Sequence, residues 1–153
     1  MSFQLRTGGT RYNLATGNCV PKRATAAYLA AAIGTPPASA GPPLVGHLLK
    51  YSTAGNDQVD HCVVSDLPVA FVFHLNSGNG ILSVVELRTC EIDFEYNVAA
   101  GCVIGNQIQA NGTLGTIPIG GFLFDQVKGV VSGGVGLVVD KDEVQGIVTV
   151  RFP

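Results

Sequence analysis

The stretch "VAFVFHLNSGNGILSVV", Val69 to Val85, decides the fold class, because it returns without gaps as "VGLVVDKDEVQGIVTVR", Val135 to Arg151. In that alignment Val69, Val72, Gly80, Ile81 and Val84 meet Val135, Val138, Gly146, Ile147 and Val150, and Ser83 meets Thr149. Each copy is two β-branched runs around a turn-forming centre, which is the signature of a hairpin. Leu82 and Val84 alternate with Ser83, and Val148 and Val150 with Thr149, so these four aliphatic side chains are expected to face a core.

Outward from the two hairpins the same pattern continues. The runs "LVGHLLKY", "QVDHCVV", "EIDFEY", "CVIGNQIQA" and "TLGTIPI" read as further strands, separated by turn chemistry in "STAGND" and at Asn111–Gly112. Short strands at this spacing predict an all-β sandwich or barrel over residues 44–153. Residues 1–43 are rich in Gly, Thr, Ala and Pro and read as an extended N-terminal arm. It carries one short helix near 24–33, in "ATAAYLAAAI", stopped by Gly34 and the prolines of "TPPASAGPP".

Composition narrows the function. Charged residues are 13% of the 153, about half the roughly 25% of soluble domains, so much of the surface is expected to be covered by other protein. The 46% apolar content excludes a disordered chain, and the net charge of −2 excludes a nucleic-acid binder driven by bulk positive charge. No apolar run reaches the roughly 20 residues that span a bilayer, so no membrane partner is expected. The start "MSFQLRTGGTRYNL" lacks the apolar centre of a signal peptide, and a cytoplasmic origin is expected. Cys19, Cys62, Cys90 and Cys102 form no CxxC pair and are expected to be reduced thiols. His61 and Cys62 are adjacent and would face opposite ways on a strand, so neither a metal site nor a cofactor is expected.

Two groups of residues remain as candidate binding sites. Arg6, Arg11, Lys22 and Arg23 are four of the nine bases and lie in a stretch without acids, leaving five bases against all eleven acids in the rest of the chain. With Phe3, Leu5, Tyr12 and Leu14 they are expected to dock the arm on a partner, the apolar side chains supplying affinity and the charges register. Strict alternation in "EIDFEY" puts Glu91, Asp93 and Glu95 on one strand face and Ile92, Phe94 and Tyr96 on the other. Without a neighbouring His, Lys or Asn motif, that acidic face is expected to be a docking surface for basic residues and not a catalytic centre. His47, His61 and His74 fall in predicted strands with no nucleophile assignable to them. "GLVVDKDEVQGIVTV" loosely resembles a segment of trimeric dUTPases, but the Tyr and Arg of that segment are missing.

The region from Val45 to Pro153 resembles the capsid cement (decoration) proteins of tailed bacteriophages. The phrase "LVGHLLKYSTAGNDQVDHCVVSDLPVAFVF" and the closing strand "QGIVTVRFP" carry the likeness. The resemblance implies a β-tulip-like domain, a homotrimer, and a major capsid protein as partner. It implies a non-enzymatic virion protein on the capsid surface, assembled in the host cytoplasm, with no direct nucleic-acid contact. A tail or baseplate β-domain is the alternative within the structural class. A small trimeric β hydrolase using Glu91, Asp93 and Glu95 is the alternative among enzymes.

Overall fold

In the computed structural model the described residues are 2–4, 11–13, 19–31, 42–76, 79–119 and 122–153. They form an almost entirely β protein. A small antiparallel sheet of β1 (Ser2–Gln4) and β2 (Arg11–Asn13) comes first, with β2 running close to a later strand, β8 (Cys90–Glu95). Next, β3 (Cys19–Ala24), β4 (Leu48–Ser52), β5 (Gly55–His61), β6 (Ala70–Leu75) and β7 (Ile81–Glu86) close into a barrel in the order β3-β5-β4-β6-β7. The helix α1 (Ala26–Leu29) sits between β3 and β4, its first turn capped by the Thr25 hydroxyl, which accepts from the Tyr28 N–H at 3.2 Å.

The second half repeats this plan. β8 pairs with β12 (Ile147–Phe152), and β12 pairs with β11 (Leu137–Asp142). β9 (Gln107–Ile119) and β10 (Phe122–Val130) form a long hairpin. Two isolated bridges, parallel Tyr96–Val127 and antiparallel Ile108–Val135, join these sheets in the cyclic order β8-β10-β9-β11-β12. That is the order of the first barrel, including a parallel contact between its first and third strands. The hairpin repeat read from sequence is reproduced in register. Val72 faces Val84 and His74 faces Ser83 across a bulge in one copy, and Val138 faces Val150 and Asp140 faces Thr149 across the same bulge in the other.

Leu82, Val84, Val148 and Val150 are all buried, as the alternation requires. Thr149 is buried with them, because β12 is covered on both faces. Within the first barrel Leu49, Val59, Ala70, Val72 and Val84 pack together. The opposite faces of the same strands offer Leu48, Phe71 and Val85 to a larger core shared with the second barrel. Phe124, on β10, is the link: its ring meets Phe71 edge-on at 5.2 Å and Phe94 at 6.3 Å.

Several local expectations change. Lys22 and Arg23, read as part of the arm, lie in β3 and pair with Leu82 and Ile81, so the first barrel begins at Cys19. The described helix covers only Ala26–Leu29 of the predicted 24–33. Asn111–Gly112 is not a hairpin turn. β9 runs through it with Gly112 at φ +80°, and extra residues of β9 bulge against β10 between Ala110 and Pro118. The strand β10, "FLFDQVKGV", adds to the runs that read as strands in the sequence.

Candidate functional site

The densest group of chemically capable side chains lies where the β9–β10 hairpin crosses the first barrel. Gly46 makes the crossing geometrically feasible. It has φ +94°, and a Cβ there would sit 2.1 Å from the Leu123 carbonyl oxygen. The Asp125 N–H donates to the Gly46 carbonyl at 3.0 Å, and the Leu48 N–H donates to Asp125 Oδ2 at 2.9 Å. These bonds fix a carboxylate from the second barrel beside the first.

Facing that carboxylate are His47, directly after Gly46, and His61, the last residue of β5. Their rings stack with centroids 3.8 Å apart and planes 13° from parallel. His61 Nε2 lies 2.6 Å from Asp125 Oδ2, and the Tyr28 hydroxyl lies 2.6 Å from His47 Nδ1. Tyr28 thus comes from α1, His47 from the turn before β4, His61 from β5 and Asp125 from β10. Tyr28, His47 and Asp125 are buried, while the His61 side chain keeps a 12% exposed edge. His47 Nε2 and Asp125 Oδ1 are buried without a hydrogen-bond partner among the described residues.

Burial dominates the electrostatics. It lowers the His47 pKa from 6.5 to about 3, with the charge of His61 acting in the same direction. Burial raises the Asp125 carboxyl above its ordinary range, opposed by the His61 hydrogen bond and charge and by the Leu48 N–H. The Tyr28 hydroxyl and the neighbouring Cys62 thiol are both pushed up, chiefly by burial, so both stay protonated at neutral pH. One acceptor from each of His47, His61 and Asp125 falls within 4.8 Å of the other two. These donors come from separate elements, and spacing along the chain, from which no metal site is expected, does not register such a cluster.

The acidic face divides. Glu91 stays at the surface, where it accepts from Arg151 Nε on the facing strand at 2.7 Å. Asp93 is buried and accepts from the Thr149 hydroxyl at 2.6 Å. Glu95 is buried too, its Oε1 accepting from the backbone N–H groups of Thr116 at 2.8 Å and Ile117 at 2.7 Å, and its Oε2 from the Gln126 side chain. Glu95 holds the bowed β9 in place, and both of its carboxylate oxygens are taken up by the β9–β10 hairpin, which covers the face that alternation alone left open.

Of the arm residues, Leu5, Arg6 and Leu14 lie outside the described residues. Phe3 is in β1, and Arg11 and Tyr12 are in β2. All four cysteines are free thiols, with Cys19 exposed and the other three buried. His74 is exposed on β6. A groove of about 860 Å³, lined by Tyr51, Pro68, Leu87, Leu137 and Phe152 among others, runs between the barrels. Among the described residues no helix is long and apolar enough to cross a membrane. Comparison with protein-family models, with curated proteins and with solved structures finds no match to this chain.

Proposed function

We propose that this chain is a structural virion protein, a capsid cement protein that binds the outer surface of a phage head as a trimer and stabilises contacts between major capsid subunits. The observation that supports the reading is where the apolar side chains left over from the core are found. Val98, Val131 and Val144 are 71%, 90% and 98% exposed, and Val64 and Ile104 are also exposed. Val98 and Val144 line one shallow cleft together with Ile117. Both barrels are already filled, so these side chains add nothing to the fold and are suited to burial against other subunits. A chain with only 13% charged residues has little else with which to keep such a surface monomeric.

Sedimentation and electron microscopy test the proposal. The purified protein is expected to sediment as a trimer at micromolar concentration and to add discrete density to the outside of heads, raising their thermal stability. A monomer that leaves heads undecorated overturns the reading, and rings or tubes in place of isolated trimers point to a tail component instead. Because β3 belongs to the first barrel, the arm is tested by deleting residues 1–18, a cut that leaves Lys22 and Arg23 in place. The barrels are expected to stay folded while attachment to heads weakens.

A further inference from the structure

The duplicated fold carries its own control for the Tyr28–His47–His61–Asp125 cluster. His47 and Asn106 hold the same place in the two barrels. Each follows a glycine of positive φ, +94° at Gly46 and +96° at Gly105. Each donates its backbone N–H to the carbonyl three residues earlier, Leu44 at 3.1 Å and Val103 at 3.0 Å. Each side chain takes the N–H of that same residue, at 3.4 Å for His47 Nδ1 and 3.0 Å for Asn106 Oδ1. His61 faces Leu49 as Gly129 faces Ile108. The second barrel therefore builds this corner from an Asn and a Gly, without an imidazole. Asp125 in turn holds the place of Asp57 in β5, since Val127 faces Ala110 as Val59 faces Tyr51, but only in β10 does this carboxylate meet the histidines of the other barrel. The barrel plan does not require the two histidines, and the crossing of the two barrels brings them to Asp125.

We propose that His47, His61 and Asp125 bind a divalent transition-metal ion of the zinc class, which ties the β9–β10 hairpin to the first barrel. Two imidazoles and one carboxylate are a donor set suited to such an ion. The two buried atoms without partners, His47 Nε2 and Asp125 Oδ1, are both potential ligand atoms of this set. An ion in contact with them removes the cost of burying them unsatisfied and supplies the positive charge that a buried carboxylate needs. Tyr28 is placed to support it: with the ion on Nε2 the proton of His47 sits on Nδ1, which then donates to the phenol oxygen 2.6 Å away in place of accepting the long 3.4 Å bond from the Leu44 N–H. The Leu48 N–H orients the carboxylate at 2.9 Å.

One rearrangement is required. An ion must lie near the plane of each imidazole that binds it, and rings stacked at 3.8 Å and 13° have no common plane. The His61 ring must turn about its Cβ–Cγ bond. Its exposed edge gives it room to do so and gives an ion and its water a path from solvent.

The test uses the full chain, stripped with a chelator and titrated with Zn2+ by calorimetry and by thermal unfolding, with Co2+ as the spectroscopic probe. The expected result is one ion per chain and a melting temperature that rises with added Zn2+. Affinity is expected to fall by at least about tenfold in His47→Asn and in Asp125→Asn. His47→Asn installs the residue the second barrel uses at the same turn, and His61→Gly does the same for the facing position, so both variants have a structural precedent in this molecule. The Co2+ spectrum of the unaltered chain serves if a variant does not fold, and it is expected to show nitrogen and oxygen ligands without a thiolate charge-transfer band. The proposal is overturned by no saturable binding of either ion, by equal binding in the variants, or by a thiolate band. Equal binding in the variants would place the ion on surface groups such as His74 and Cys19.

Discussion

Gly46→Ala and Gly105→Ala, compared with each other, measure how tightly the β9–β10 hairpin is held to the first barrel. Both glycines sit at nearly the same positive φ in the same turn, so each alanine carries the left-handed backbone cost of about 1–2 kcal/mol. The surroundings differ. An added Cβ at Gly105 meets nothing within 4 Å, whereas at Gly46 it lies 2.1 Å from the Leu123 carbonyl oxygen and 3.1 Å from Phe124 Cα. The obstacle is backbone, which cannot swing aside as a side chain can, so β10 has to retreat by more than an ångström. That retreat breaks the Asp125 N–H bond to Gly46 and the Leu48 N–H bond to the Asp125 carboxylate. A neutral bond of this kind is worth about 1 kcal/mol and one to a charged group about 1.5–3 kcal/mol. Gly46→Ala is therefore expected to destabilise by about 2.5–4 kcal/mol more than Gly105→Ala. Equilibrium urea unfolding followed by circular dichroism, with equal slopes for the two variants, supplies both values. A difference below about 1 kcal/mol would refute the close crossing, and with it the geometry of the histidine–aspartate cluster.

Phe124→Ala removes the ring between Phe71 and Phe94 and is expected to cost about 3–5 kcal/mol in urea unfolding. Val150→Ala, at a fully buried position of β12, should cost about 1–3 kcal/mol by the same measurement. Because the His47 pKa is lowered from 6.5 to about 3, the folded chain binds fewer protons than the unfolded one between those values. The stability His47 contributes is thus present above pH 6.5 and is lost as pH falls toward 3, by at most about 1.4 kcal/mol per unit. The raised Asp125 pKa opposes this slope, and His47→Asn should remove the His47 part of it, read as the change in unfolding free energy between pH 7 and pH 5. Val144→Asp, at a 98% exposed hairpin tip, should leave unfolding free energy within about 0.5 kcal/mol of the parent. Attachment to heads, measured by co-sedimentation, should weaken in that variant if the leftover apolar side chains form the interface.

The amino-acid sequence by itself determined the all-β class, the paired hairpins and the inward direction of Leu82, Val84, Val148 and Val150. All of these rest on the period-2 alternation of side chains along a strand, a property of a few neighbouring residues. It did not show β3, where Pro21, Lys22 and Arg23 disguise a strand that pairs with β7 and β5, both far along the chain. In β8 the alternation correctly grouped Glu91, Asp93 and Glu95 on one face. What meets those carboxylates is decided elsewhere in the chain: Thr149, beside Asp93 on β12, donates to it, and Thr116, Ile117 and Gln126 on the β9–β10 hairpin close over Glu95. The four members of the histidine cluster come from four separate elements, and no spacing rule connects them. Only the tertiary structure decided that two barrels of one plan follow each other and that the longer hairpin of the second lies across the first. The physical reason is that a strand's facing is set by its immediate neighbours in the chain, whereas its burial, and the partner its polar groups meet, is set by whichever distant segment closes over it.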